Sequence, residues 1–319
     1  MDNNSALNIF ITGGTTGAGR EASRQAVARG HQVTVLTQGS DGAAKARKDG
    51  ALPTYSDVTR AGELKSLFRM AQTDVVLHLA AQVANGFPLK GTYEQYERLV
   101  AESTHAVVEA AKASNVKFLV YASFAFLYGD THGETLAEDG AGHLDPLFRA
   151  ALAAEKAVLE SGLNVCVLRA GFNYGPEDES TQTIGEVLRF GRGIYLGDSH
   201  SIHNWVHDAD LAQAAILAAE QQPTGQIFNV VDDQPVSAAS FVGALANGMG
   251  FDAPSSSNPP AFALNRSTSE AQRALLAASV RLKNDKAKQV LGWQPRYAGH
   301  KAGLDQTLLY WRSAEPIKV

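Results

Sequence analysis

The stretch Asn8-Ile-Phe-Ile-Thr-Gly-Gly-Thr-Thr-Gly-Ala-Gly-Arg20 constrains this chain more than any other part of it. Ile9 to Ile11 is a short apolar run of the kind that forms a buried parallel strand. Four glycines follow within seven residues, at 13, 14, 17 and 19. Glu21-Ala-Ser-Arg-Gln-Ala-Val-Ala-Arg29 then reads as a helix that stops at Gly30. Strand, glycine turn and helix together aim free backbone N–H groups and a positive helix end at a pyrophosphate. Gly13 allows the sharp turn, Gly17 lets the backbone approach phosphate, and Gly19 lets the helix lie close to the sheet. Dinucleotide binding is the expected consequence.

A chain of 319 residues, 45% hydrophobic, can bury one large core or a core with a smaller lobe. The net charge of −5 with both signs dispersed leaves no basic stripe for nucleic acid. No apolar run approaches the ~20 residues that span a bilayer. The first residues, Met1-Asp-Asn-Asn-Ser-Ala, lack the regions of a secretion signal, so a cytoplasmic protein is expected. Cys166 is the single cysteine and lies in an apolar run, which excludes disulfides and thiolate metal sites. No metal site is expected.

Strand and helix patterns alternate along the first half. Val33–Leu36, Leu52–Tyr55, Asp74–Leu79, Lys117–Ala122 and Asn164–Arg169 read as strands two to six. Helical patterns at about 60–71, 92–114 and 146–162 separate them. Repeated βαβ units imply an α/β fold of the Rossmann type, a doubly wound parallel sheet with ligands beyond the carboxyl ends of its strands. After Arg169 shorter strands (Gly193–Gly197, Ile202–Val206, Gln226–Val230) mix with helices at about 208–221 and 237–249. The link Pro254-Ser-Ser-Ser-Asn-Pro-Pro260 precedes further helical segments. The expected division is a dinucleotide domain over 1–170, to which 202–231 returns, and a smaller C-terminal α/β substrate lobe from 171–201 and 232–319.

Six segments in this order resemble the extended branch of the short-chain dehydrogenase/reductase family, the epimerase and dehydratase type. They are Asp57-Val58, His78-Leu-Ala-Ala81, Tyr128-Gly129, Arg169 to Pro176, Trp205-Val-His-Asp-Ala-Asp-Leu-Ala212 and Lys286-Ala-Lys-Gln-Val-Leu-Gly-Trp-Gln-Pro295. Gly13, Gly17 and Gly19 keep the spacing of the shorter-chain branch, which builds the same phosphate cradle. The resemblance implies cofactor contacts from Gly13, Thr15, Thr16, Gly17, Ala18, Thr37, Asp57, Val58, Leu79, Ala80, Ala81, Ala122 and Ala170. It implies substrate contacts from Gln82, Phe87, Asn173 and Trp205. Relatives commonly dimerise through the helices after strands four and five. Tyr96, Leu99, Val100, Val107 and Ala110, with Ala150–Ala154, form a stripe that suits either a homodimer or the covering of the sheet.

The chemistry departs from the family. Its members place a Tyr, lowered in pKa by a Lys four residues on, beside the nicotinamide, with a Ser or Thr and an Asn in support. Aligned through Glu155, the Tyr position is Leu147 and the Lys position Ala151. Counting back from Tyr128 puts the hydroxyl position at Phe124, and counting back from Thr104 puts the Asn position at Val100. All four are apolar. Ser123, Tyr128 and His203 are the candidates to substitute, although Ser123 also suits a bond to backbone and Tyr128 a packed loop. His207 matches a structural position, Tyr174 packs the lobe junction, and Glu177-Asp-Glu179 reads as a solvated loop.

Strand two ends without an acid until Asp41, so nothing repels a 2′-phosphate, and Arg20, Lys45 or Arg47 is placed to meet one. NADP is therefore expected, with NAD as the alternative. The resulting expectation is an atypical NAD(P)-dependent epimerase, dehydratase or reductase acting on a small, partly apolar substrate. The alternative is an inactive, dinucleotide-sensing regulator that binds a protein partner.

Overall fold

A computed structural model describes residues 6–15, 17–79, 93–190, 200–254, 274–275 and 277–314. The first half runs β1 (Asn8–Thr12), α1 (Gly17–Ala28), β2 (Gln32–Thr37), α2 (Gly39–Lys48), β3 (Leu52–Tyr55), α3 (Ala61–Met70), β4 (Val75–His78), α4 (Tyr93–Ala113) and β5 (Phe118–Phe124). β6 (Thr135–Leu136), α5 (Arg149–Leu159), β7 (Val165–Ala170), β8 (Phe172–Tyr174) and α6 (Glu179–Arg189) follow. The chain continues through β9 (Ile202–His203), β10 (Trp205–His207), α7 (Asp208–Gln221), β11 (Gln226–Val230), β12 (Val236–Ser237) and α8 (Ala238–Gly248). It closes with β13 (Arg281–Leu282), α9 (Asp285–Leu291) and α10 (His300–Ala314).

Seven strands form one parallel sheet in the order β11-β7-β5-β4-β1-β2-β3. The direction of winding reverses between β1 and β4, so the crevice for a ligand opens at their carboxyl ends. Alternation along β1 divides the core. Ile9 and Ile11 face α1 and α7, whereas Phe10 faces the layer of α3, α4 and α5. Among the described residues no helix is long and apolar enough to cross a membrane.

The apolar runs became the expected strands, with Gln226–Val230 and the helix at 208–221 matching to the residue. Two readings need correction. Ile202–Val206 is two strands broken at Asn204, whose side chain donates to the Val280 carbonyl and accepts from the Leu282 N–H. Glu177–Glu179 is not a solvated loop. The Glu177 carboxylate binds Arg20, Arg24 and the Tyr310 hydroxyl, and the Asp178 carboxylate caps α6 by accepting from Thr181 N–H. Gly193–Gly197 and nearly all of the Pro254–Pro260 link lie outside the described residues. In the suggested dimer stripe, Val100, Val107, Ala110, Ala151 and Ala154 are buried, whereas Leu99, Leu152 and Ala153 face out.

Asp210 fastens the C-terminal segment. Its backbone carbonyl accepts from the Trp293 indole at 2.9 Å, and its carboxylate accepts from the N–H groups of Arg296 and Tyr297. The fully buried Trp293 thereby ties the segment after α9 to the first turn of α7.

Candidate dinucleotide and substrate site

The glycine turn sits at the end of β1 with the geometry its sequence requires. Gly13 and Gly17 have φ of +76° and +49°, which favour glycine, and a Cβ on Gly19 would overlap the Gly13 carbonyl. Side-chain-free backbone at these places leaves the mouth between α1 and β1 open to a pyrophosphate, so the residues fit a dinucleotide. Thr15 and Gly42 lie in contact range across this mouth, and Thr37 donates to the Thr54 carbonyl at 2.9 Å. At the neighbouring strand end, Thr12 Oγ1 and His78 Nδ1 lie 2.7 Å apart and join β1 to β4. Asp57 accepts from the Thr59 N–H and hydroxyl, which holds its carboxyl below the ordinary range, and Val58 is buried behind it. Ala18, Leu79, Ala122 and Ala170 are all buried around the strand ends. Thr16, Ala80, Ala81, Gln82 and Phe87 lie outside the described residues.

Arg20 does not serve as the expected phosphate partner. Its guanidinium is almost fully buried and is bonded to Asp49 and Glu177. Lys45 pairs with Asp41 one turn away, and Arg47 is exposed.

Beneath the cradle lies a group the sequence displayed without revealing its role. Asp208 is 4% exposed, packs against Gly17 and Gly175, and neither carboxylate oxygen has a hydrogen-bond partner. The nearest polar support is the Ala18 N–H. Burial, then the negative charges of Asp178, Glu21 and Glu177, push its pKa well up. Burial raises the Asp178 carboxyl too, to about 6, but its two bonds from Thr181 favour the ionised form, which leaves Asp208 as the group that holds the proton. Its signal was a pair of acids, Asp208 and Asp210, in the first turn of a helix otherwise rich in alanine.

Three of the four positions expected from the sequence to hold the family's catalytic groups have described side chains, and all three are apolar. Val100, Phe124 and Ala151 are buried in one continuous cluster, and the Leu147 side chain lies outside the description. Two of the expected substitutes are spent on internal bonds. Ser123 donates to Glu155 Oε2 at 2.5 Å, and Glu155 receives Arg169 through two guanidinium nitrogens at 2.6 and 3.1 Å. Arg169 also stacks over the Tyr128 ring, 4.6 Å from its centroid. The Tyr128 hydroxyl donates to Asn229 at 2.7 Å, and burial raises its pKa, the wrong direction for an acid working near neutrality. Both are therefore corrected to packing groups.

His203, the third substitute, is buried and borders a small cleft. It lines a narrow cleft with Ser123, Phe124, Phe126, Phe172 and Leu275, whose volume of about 20 Å³ is room for about one water. Asn173 lines it too, whereas Trp205 lies behind Phe172 and stacks on Phe241 at 3.7 Å. Trp205 is a packing residue rather than a substrate contact. Phe126 and Leu275 were missed; the i, i+2 spacing of Phe124 and Phe126 was the available sign of an aromatic wall. His207 is structural as expected, accepting from the Ala209 N–H at the start of α7 and meeting Gln306 at 3.2 Å.

Residues 9–230 match the NAD dependent epimerase/dehydratase family. A 3-diazoavenalumate denitrifying reductase from a Streptomyces species is 28% identical over 93% of this chain and 99% of its own. A 4-hydroxy-2-methyl-3-oxo-4-farnesyl-3,4-dihydroquinoline-1-oxide ketoreductase from Stigmatella aurantiaca is 27% identical over 94% of this chain and 95% of its own. A dTDP-glucose 4,6-dehydratase from Streptomyces venezuelae, solved with NAD bound, superimposes with a TM-score of 0.78 at 21% identity, over 96% of this chain and 97% of that one.

Two outcomes follow from the buried charges. Replacing Arg169 by Met strands Glu155, so urea unfolding should show a loss on the order of 3–5 kcal/mol, partly recovered in the Arg169→Met, Glu155→Gln double variant. Asp208 holds a proton in the fold that the unfolded chain releases near pH 4, so folding loses stability as pH rises from there toward the folded value. Asp208→Asn should be more stable than the parent at pH 8, with the gap closing as pH falls to about 4; a gap independent of pH would refute the assignment.

Proposed function

Since the chain belongs to the NAD-dependent epimerase/dehydratase family, we propose that it binds NAD or NADP in the glycine cradle and moves a hydride to or from a small, partly apolar substrate without a tyrosine acid. The observation that carries this reading is the pairing of an intact cradle with a buried apolar wall of Val100, Phe124 and Ala151. The bound dinucleotide would supply the hydride chemistry at its nicotinamide ring. The chain's own part is to hold the cofactor through backbone N–H groups, exclude water with the aromatic wall, and orient the substrate. Any proton needed comes from water or from the substrate itself.

Two features favour a reductase over a sugar-nucleotide enzyme. The similar proteins from Streptomyces and Stigmatella aurantiaca are named as reductases of a diazo compound and of a quinoline oxide. The cleft residues also include no Lys or Arg to meet a diphosphate, among those described. With Arg20 committed elsewhere, NADP and NAD both stand as cofactors, and Lys45 and Arg47 on α2 are the cations left for a 2′-phosphate. The loss of the family's catalytic set favours a second reading, a dinucleotide sensor with no turnover. In that case the protein binds the dinucleotide, oxidises none of it with any substrate, and captures a partner differently in the two redox states.

A homodimer completes the proposal. The outer faces of α4 and α5 form an open groove of small residues, Ala101, Val108, Ala150, Ala153 and Ala157, that a second copy would fill. Light scattering at micromolar concentration should give twice the chain mass of 33.9 kDa, and a monomer would sink this part.

Calorimetric titration with NADPH and with NADH tests the central claim. At least one should bind with a micromolar constant, and at a hundredfold excess over that constant stability should rise by about 2.7 kcal/mol. Silence from both at millimolar concentration overturns the proposal.

A further inference from the structure

The acid beneath the glycine cradle bears on any ligand above it. Both Asp208 oxygens stand 3.5 Å from the point where a Cβ on Gly17 would lie, and Oδ2 stands 2.6 Å from the matching point on Gly175. A side chain on Gly175 would collide with the carboxyl, which therefore lies directly against the first turn of α1. Its nearest polar group is the Ala18 N–H of that turn. This is the helix end whose free N–H groups and positive dipole would receive a pyrophosphate. One carboxyl and one diphosphate thus share a single positive helix end.

No neighbouring cation offsets Asp208 among the described residues. Arg20 and Arg24 of α1 are bonded to Asp49 and Glu177 instead. Glu21 of α1, with Glu177 and Asp178 of the loop before α6, adds negative charge. That loop is pinned to the cradle, since the Gly17 N–H donates to the Glu177 carbonyl at 3.3 Å, and Tyr310 of α10 is spent on the Glu177 carboxylate. Tyr174 of β8 stays neutral because burial raises its pKa, and His207 stays neutral because burial lowers its own to about 4. Asp210, in the same turn of α7, is held by the N–H groups of Arg296 and Tyr297. Neither Asp208 oxygen has a hydrogen-bond partner, and the residue is buried, so a negative charge there has only the end of α1 to stabilise it.

We propose that Asp208 is a proton-operated control of dinucleotide binding. With its proton on, the neutral carboxyl leaves the positive end of α1 to the pyrophosphate. With the proton lost, the carboxylate opposes the diphosphate from behind the same turn. Binding then favours the protonated form, so affinity falls as pH rises through the ionisation of Asp208. The inference rests on the dinucleotide reading of the cradle and adds to it regulation by pH.

The test is calorimetric titration of the whole protein with NAD and NADP between about pH 5 and pH 9, at low salt where charges are least screened. NAD keeps a constant charge over this range. NADP is read only against Asp208→Asn, because a phosphate monoester itself ionises near pH ~6. The parent's affinity for NAD should be level on the acid side and on the order of tenfold weaker on the alkaline side, the effect of one like charge near the helix end. Asp208→Asn, which keeps the shape and cannot ionise, should hold the acid-side affinity at every pH. Asp178→Asn, which still caps α6, should keep the parent's pH dependence. At the midpoint of the parent's profile, heats in two buffers of different ionisation enthalpy should report uptake of protons on binding. That measurement needs no variant, and its failure overturns the control even if Asp208→Asn does not fold. An affinity independent of pH in the parent, or a dependence that persists in Asp208→Asn or vanishes in Asp178→Asn, also overturns it. Binding that appears only in Asp208→Asn supports it. Silence from both dinucleotides in parent and variant overturns the dinucleotide reading, and this inference with it.

Discussion

Arg169 and Glu155 form the buried pair on which the site depends. One comes from β7 and the other from α5, and Ser123 of β5 adds a third bond to the same carboxylate. Tyr128 lies against the guanidinium and carries the arrangement through Asn229 to β11. Three strands and a helix thus meet at one charge pair, directly behind the walls of the cleft. Such a pair contributes little to stability compared with a well-packed apolar replacement, but neither partner can be left alone in the interior. Its effect is to fix the relative position of the elements that bear Phe124 and Ala170.

Fixing those elements gives the site a shape that does not rest on the side chains facing the cleft. The strand ends, the cradle and the switch point are held by backbone hydrogen bonds and by buried groups such as Thr12, His78 and Asp210. None of these depends on a phenol or an ammonium in the cleft. Val100, Phe124 and Ala151 pack as part of one buried apolar cluster instead.

Much of this was legible in the sequence because it rests on local pattern. Short apolar runs bounded by glycine and polar residues gave the parallel strands, and Asp208–Gln221 could be read as a helix from its alanines. What escaped was set by distance along the chain. Glu177 bonds Arg20 across 157 residues, so its loop looked solvated and Arg20 looked free. α2, with two glycines and four charged residues in its ten, offers only three alanines as apolar positions and did not announce itself. Asp208 stood in plain view, yet only the packing of α7 against α1 shows that no cation meets it.

The packing of α1 on α7 has a wider consequence. Ala18, Ala22 and Ala26 on one helix and Ala212, Ala215 and Ala219 on the other are all buried in the same layer of core. An interface made of methyl groups has no long side chains to re-rotate, so it cannot absorb a change in volume by local adjustment. Any added carbon acts as a wedge and is transmitted as a rigid displacement of the helix. Because α1 starts at Gly17, that displacement arrives at the cradle undiminished. The aperture for the phosphates is thus calibrated from below, by methyl groups buried between two helices.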